Sequence, residues 1–403
     1  MTVGVHSSRV DKRVRSTNLI LVASAVVLFL AGTAYLARGV YFAASSAADY
    51  RLRWTEQQYV FRGKNPSSVM SPNRLLQSHQ QARNIPPDDD LGISIGGYPP
   101  WAYFTGAAFA WPSSLVMARW YFAAINLLLL ALLMVWAGRL GWAVDKRVGL
   151  LFAAALLATS SICTTLGLGQ YGVVVLAALV GAWRLDGRDR WFLAGCILGV
   201  AMIKVTLAGP FLLPFVFRRR WKTVVTALAY IGVGSLVMWP IIDASPITVL
   251  NQMLGTSEFY VGDRNLVALS VERGMSAGDA IKMTAVATTI AAMVLLYVWR
   301  SASMLVLFAV AGMAARIWTY HNHYDNLIVV FLMLALGVHG LRHKRWSAWA
   351  GFVVVGLSLW FPARLTQVQA YHNFQWVAWC AGLALLLILE WPGSRLAQRP
   401  PEA

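Results

Sequence analysis

Charge is scarce in this chain, and acidic charge most of all. Its 403 residues include 17 Asp and Glu against 34 Lys and Arg; charged residues make up 13% of the total and hydrophobic ones 58%. A soluble domain cannot hide so much apolar surface, so the composition specifies a polytopic membrane protein. Cysteine is nearly missing. Cys163, Cys196 and Cys380 stand singly in or beside apolar segments. No disulfide framework or cysteine metal site follows from that spacing, and the three read as small buried hydrophobes. No Walker A segment occurs, nor a Rossmann glycine fingerprint set between a strand and a helix, so a nucleotide-driven reaction is not supported. Internal repeats, low-complexity sequence and any recognisable soluble domain are absent as well. The net charge of +17 is no nucleic-acid signature, because the basic residues sit in short clusters between apolar runs.

What the chain has is apolar runs and tryptophan. The 18 tryptophans fit the aromatic belts of many membrane crossings. Apolar runs near 19–42, 115–138, 148–164, 171–184, 191–205, 206–217, 222–241, 279–299, 302–318, 324–341, 346–362 and 374–391 predict about twelve transmembrane helices. The basic N-terminus before the first run reads as a retained signal anchor. Arg9, Lys12, Arg13 and Arg15 place that end in the cytoplasm. With twelve spans, every other basic cluster also falls inside: Arg139/Lys146/Arg147, Arg184/Arg188/Arg190, Arg218 to Arg220 with Lys222, Arg342/Lys344/Arg345, and Arg395/Arg399. YPPWAYFTGAAFAWP (98–112) would break this parity if it crossed, so it reads as an interfacial or partly inserted helix. The expected architecture is one all-α integral membrane domain over 1–403. Cytoplasmic tails cover 1–18 and 392–403, and long outer loops cover 43–114, with juxtamembrane helices, and 242–278. The expected location is the plasma (inner) membrane with both termini cytoplasmic.

Polar groups of chemical interest gather on the outer side. Asp49 opens AADYRLRWTEQQYVFRGKNP (47–66), where aromatic and charged residues alternate as in a helix lying along a membrane surface. A carboxylate at that edge is either simply solvated or placed as a general base toward a lipid-borne hydroxyl. Lys204, inside AMIKVTLAGP, is either a counter-charge for an anionic ligand or a snorkelling lysine near a helix end. In HNHYDN (321–326), His321, His323 and Asp325 match no standard zinc spacing. A hydrogen-bonding or phosphate-contacting cluster is the better reading. GLGQYG (167–172), carrying Gln170, reads first as a turn between helices. The loop containing Asp263, Arg264 and Asn265 is either a second lid or a solvated loop, and Asp88 to Asp90 beside two prolines is a solvated turn rather than a metal site.

These segments, in order, resemble the polytopic GT-C glycosyltransferases of family 87. The likeness rests on Asp49 after the first span, FRGKNP (61–66), YPP (98–100) and LGQYGVVVLAAL (168–179). It continues in LAGCILGVAMIKVTLAGPFLLPFVFRRRWK (193–222), RNLVALSVERG (264–274) and HNHYDNLIVVFLMLAL (321–336). Tyr171 departs from the pattern, since the family often has a small polar residue there. The family includes the mycobacterial mannosyltransferase that extends phosphatidylinositol mannosides. The resemblance implies a GT-C-like helix bundle. It also implies inverting transfer of a hexose or pentose, mannose favoured, from a polyprenyl-phosphate donor to a lipid-linked or glycan acceptor on the non-cytoplasmic face. Asp49 would be the base. Lys204, Arg264, His321 or His323, Gln170, Tyr98, Asn265 and Asp325 would bind the donor phosphate and substrates, with no metal and no cofactor. Membrane lipids would be partners and nucleic acid would not. Elementary chemistry agrees: displacement at an anomeric carbon needs a base for the incoming hydroxyl, and a phosphate leaving group needs cations rather than an acid. An inverting route needs no second carboxylate as nucleophile. A transporter of lipid-linked sugars would instead place its polar groups at the midplane, commonly in repeated halves. The composition also admits a non-catalytic membrane subunit, in which Asp49 would be incidental, or an acyl or phosphoryl transferase.

The charge pattern makes a topological prediction. In a cysteine-replaced background, cysteines at positions 65 and 322 react with an impermeant maleimide from outside, and one at 347 only from inside. Labelling of position 65 from the inside alone overturns this arrangement.

Overall fold

In a computed structural model, residues 5–66, 98–245, 247–249, 251, 266–319, 321–362, 364–365 and 368–393 are described. Arg264, Asn265 and Asp88 to Asp90 lie outside these residues. Every regular element among the described residues is a helix. The chain begins with α1 (Val5–Ser45), α2 (Ala48–Phe61), α3 (Pro100–Gly106) and α4 (Leu115–Trp142). It continues with α5 (Lys146–Leu157), α6 (Ser160–Leu168), α7 (Gly172–Asp186), α8 (Trp191–Ala201), α9 (Val205–Ala208) and α10 (Leu212–Phe217). The remainder is α11 (Trp221–Ile242), α12 (Leu266–Glu272), α13 (Ala277–Val298), α14 (Met304–Ile317), α15 (Val330–His343), α16 (Trp346–Trp360) and α17 (Gln369–Leu389).

Local chemistry sets many of the boundaries. Asp145 accepts from the Arg147 amide at the start of α5, Ser276 from Asp279 at α13 and Ser303 from Val306 at α14. Each supplies an oxygen to an orphan N–H of the first turn. At the end of α1, Ala47 adopts left-handed φ 40°, and the Arg119 guanidinium donates to the carbonyls of Ala44 and Ser45. Those carbonyls would otherwise lack partners in an apolar setting. The juxtamembrane helix expected after the first span is α2. It is tucked beneath residues 107–114 rather than lying open: Trp54 Nε1 donates to the Pro112 carbonyl at 2.8 Å, and Tyr50, Leu52 and Glu56 are buried. The 98–112 segment forms only the seven-residue α3, far too short to cross.

By length and composition, seven helices can cross a membrane, or eight if the bent pair α5–α6, with its 46° angle, is one span. The predicted runs at 171–184, 302–318 and 346–362 correspond to α7, α14 and α16, of 14 or 15 residues each. One 27-residue stretch, Trp191–Phe217, is long enough to cross, yet its ends meet. Lys222 Nζ lies 5.6 Å from the Trp191 ring, and Arg220 pairs with Asp186 at 3.1 Å. Gly195 abuts Thr226 and Gly199 abuts Tyr230, so α8 and α11 run side by side in the same direction. The chain therefore rises along α8, turns at Lys204, whose φ −121° and ψ 78° are non-helical, and descends along α9 and α10. Each arm is shorter than the roughly 30 Å apolar core, so the stretch is a re-entrant hairpin with Lys204 at its tip. This geometry keeps Arg184 to Arg190 and Arg218 to Arg220 at one end of the bundle.

The span formed by the 3-10 turn His323–Val329 and α15 is the central pillar: 89% of its apolar window is buried inside the protein. Phe331 on it meets Phe211 of the hairpin and Phe308 of α14, with ring centroids 5.5 and 5.2 Å apart. Without a hydrophobic drive between helices in lipid, contacts of this kind and small residues at crossings hold the bundle. At the crossing of α4 on α5, a Cβ on Gly141 would lie 2.7 Å from the Gly149 amide nitrogen, a backbone atom. Gly232 on α11 has open space around it. We therefore predict that Gly141→Ala lowers the melting temperature of the detergent-solubilised protein, at a cost of about 1–3 kcal/mol. Gly232→Ala should leave it unchanged or raise it, and equal behaviour of the two variants would contradict this packing.

Candidate active site

The break at Ala47 delivers Asp49 to the first turn of α2, where the helix N-terminus favours negative charge. The carboxylate is partly exposed. Gln170 Nε2 donates to its Oδ2 at 2.5 Å, and Gln170 itself is buried. This approach depends on Gly169, in left-handed conformation at φ 71°, where a Cβ would lie 2.3 Å from the Cβ of Tyr50. Glycine alone tolerates both demands. Tyr50 stacks on Phe122 with centroids 4.7 Å apart and donates its hydroxyl to the Phe109 carbonyl at 2.8 Å, which fixes the other side of the contact. Among the described residues, Asp49 makes no ion pair.

A second cluster forms where the hairpin tip meets the 321–326 turn. Lys204 Nζ donates to Asp325 Oδ1 at 2.5 Å and sits 4.7 Å from the Tyr324 ring. His321 Nδ1 lies 3.0 Å from the other Asp325 oxygen, and its Nε2 lies 3.2 Å from the Thr319 hydroxyl. Asp325 and His321 are both buried. Burial lowers the pKa of His321, more than contact with Asp325 raises it, so the imidazole is held neutral at pH 7. The ammonium of Lys204 supplies the positive charge that Asp325 requires. His323 is half-buried and rests edge-on against Tyr324, 5.8 Å between centroids. Next to Asp325, the Asn326 side-chain oxygen accepts from Arg316 Nε at 2.6 Å.

Two links join the clusters. Thr165 of α6, the helix leading into the Gly169–Gln170 turn, donates its hydroxyl to the Tyr324 carbonyl at 3.2 Å. Tyr98 feels both carboxylates. Burial pushes its phenol up to about 12; the Arg53 guanidinium 4.1 Å from its ring opposes this, while Glu56, Asp325 and Asp49 add to it. Arg53 is paired with the buried Glu56 at 2.6 Å. Tyr171 is not a small polar contact but a buried ring packed against Tyr98, Phe109 and Phe122.

The structure thus brings together Asp49 and Gln170, and separately Lys204, His321 and Asp325, with Tyr98 in electrostatic reach of both acids. His323 stands at the margin, and Arg264 and Asn265 lie outside the described residues. Sequence reasoning missed Arg53 and Glu56, although their i, i+3 spacing was a signal, and the Arg316–Asn326 contact, which had none. The two acids differ in environment: Asp325 is charge-balanced by Lys204, whereas Asp49 is held by a neutral amide and open to a ligand. That asymmetry is what a proton acceptor beside a charge-neutral scaffold requires.

The family profile of Glycosyltransferase family 87 matches residues 97–336, more than half of the chain. An Alpha-(1->3)-arabinofuranosyltransferase of Mycobacterium tuberculosis (strain ATCC 25618 / H37Rv) is 24% identical over 251 residues, covering 58% of this chain and 54% of the relative. The enzyme of the same name from Corynebacterium glutamicum is 22% identical over 296 residues, 69% of each chain. This chain spans about half the length of the mycobacterial relative. No solved structure matches it. On the profile match, and in keeping with its all-α polytopic membrane fold, the chain belongs to glycosyltransferase family 87.

Proposed function

We propose that this glycosyltransferase moves a sugar, with inversion, from a polyprenyl-phosphate donor to a hydroxyl of a lipid-linked or glycan acceptor at the non-cytoplasmic face of the plasma membrane. The observation that carries the reading is the partly exposed Asp49 carboxylate, oriented by the Gln170 amide and unpaired with any described cation. In this mechanism, the acceptor hydroxyl gives its proton to the free oxygen of Asp49 as its own oxygen bonds to the anomeric carbon. The bond from that carbon to the phosphate oxygen breaks, and the polyprenyl phosphate leaves with the electron pair. Lys204 faces the donor phosphate, and its charge is shared between that phosphate and Asp325. His321, with both ring nitrogens engaged, positions Asp325. His323 and Arg264 are the further donors to the phosphate, and Tyr98 and Asn265 contact substrate. The names of the relatives favour a pentofuranose, arabinofuranose first, over the mannose that the sequence motifs suggested.

Asp49→Asn and Asp49→Ala, purified and shown to be folded, should lose sugar transfer by about 10²-fold or more in assays with polyprenyl-phosphate arabinofuranose and mannose. Near wild-type turnover in both would remove Asp49 from the mechanism. A second expectation concerns pH. The folded His321 pKa lies below its unfolded value of about 6.5, so the folded state binds fewer protons and stability falls as pH drops through 6.5 toward the folded value. Melting curves between pH 7.5 and 5 should show this slope in the wild type and a shallower one in His321→Gln; identical slopes would refute it.

A further inference from the structure

At the end of the central pillar farthest from Asp325, α15 carries His339 and His343 in HGLRH. Positions four apart lie on one face of a helix, and here that face meets Glu390, the residue that caps the end of α17. One nitrogen of each imidazole and one oxygen of Glu390 lie within 4.8 Å of one another. The two imidazole rings are 4.4 Å apart, and His339 Nδ1 is 2.7 Å from Glu390 Oε1. The protein does not fully satisfy this histidine: His339 is buried and its Nε2 has no hydrogen-bond partner. Its Nδ1, the nitrogen turned toward Glu390, is the one that can share an ion with that carboxylate.

The geometry points to a divalent transition-metal site, zinc by ligand chemistry, held by His339, His343 and Glu390. Two imidazoles and a carboxylate are borderline ligands that suit zinc rather than calcium or magnesium, which select oxygen. Around a tetrahedral ion with bonds near 2.0–2.1 Å, neighbouring ligand atoms stand about 3.3 Å apart, so the three donors need only small rotations to converge. Water fills the fourth position, since the Glu390 side chain is 21% exposed. The surroundings are built to hold the donors still. Trp299 Nε1 donates to the Leu387 carbonyl at 3.0 Å, one turn before Glu390, and Trp391 packs on Trp299 at 5.1 Å. The nearby Arg342 and Lys344 are exposed, so solvent screens their charge from the ion. From Asp325 to His339 is 14 residues, about 20 Å of helix, so the ion takes no part in sugar transfer. Its effect is to clasp the end of α15 to the end of α17.

The test uses the full chain in detergent, carrying an affinity tag without histidine, stripped with chelator and titrated with cobalt(II). Saturable visible d–d bands at one cobalt per chain, bleached by zinc, are expected in the wild type, together with a zinc-dependent rise in melting temperature and no change in transfer activity. His343→Gln and Glu390→Gln should each weaken cobalt binding by tenfold or more, while His372→Gln should not. Absence of saturable bands in the wild type overturns the site without reference to any variant. Binding that survives unchanged in both His343→Gln and Glu390→Gln overturns it as well, because the ion then sits elsewhere.

Discussion

Lys204 and Asp325 carry charge inside an apolar bundle only because each neutralises the other. Taking either ion out of water alone costs several kcal/mol, and removing one partner of such a pair typically costs about 3–5 kcal/mol. The rest of this end of the bundle is organised around that condition. The hairpin has to turn where it does so that Lys204 reaches the 321–326 turn, and Trp101 and Trp318 anchor the tip through the carbonyls of Met202 and Thr206. His321, held neutral, adds a hydrogen bond to Asp325 without adding a second charge. In the proposed mechanism, this already balanced cation shares itself with the arriving phosphate, and the site between substrates stays nearly neutral.

The two halves of the site differ in how they are held. Both carboxylate oxygens of Asp325 are engaged, by Lys204 and His321, whereas Asp49 sits at a helix start with a single amide contact. Both are tied to the same frame through α6, which carries the Gln170 turn at one end and bonds the Tyr324 carbonyl through Thr165. The two halves thereby share one element, which suits the proposed reaction, in which acceptor and donor must be aligned on a single carbon.

Much of this was legible in the sequence, and what was not has physical reasons. Apolar runs and basic clusters placed the helices, and the break after the first span marked Asp49, because a carboxylate beside an apolar anchor has few purposes. HNHYDN and Lys204 were each recognised as polar groups in the wrong solvent, but their pairing was not, because 121 residues separate Lys204 from Asp325. Hydropathy divided 191–217 into two spans; it registers apolar length, not direction, and so cannot distinguish a crossing from a chain that turns back. From its own residues Gln170 read first as a turn residue, and the family resemblance alone made it a site residue, since nothing local indicates that a glycine-rich turn faces a carboxylate 121 positions earlier. His339 and His343 escaped notice because Glu390, the residue that gives them meaning, comes from another helix.

Gly169 shows what the missing side chain accomplishes. Here the turn at Gly169 touches the chain at Tyr50 almost backbone to backbone. The separation of the main chains that carry Asp49 and Gln170 is therefore fixed, and the bonds of the two side chains alone are left to adjust the contact between carboxylate and amide. In the proposed reaction, acceptors of different shape are accordingly selected by the walls around that carboxylate, because its backbone has no freedom to follow them.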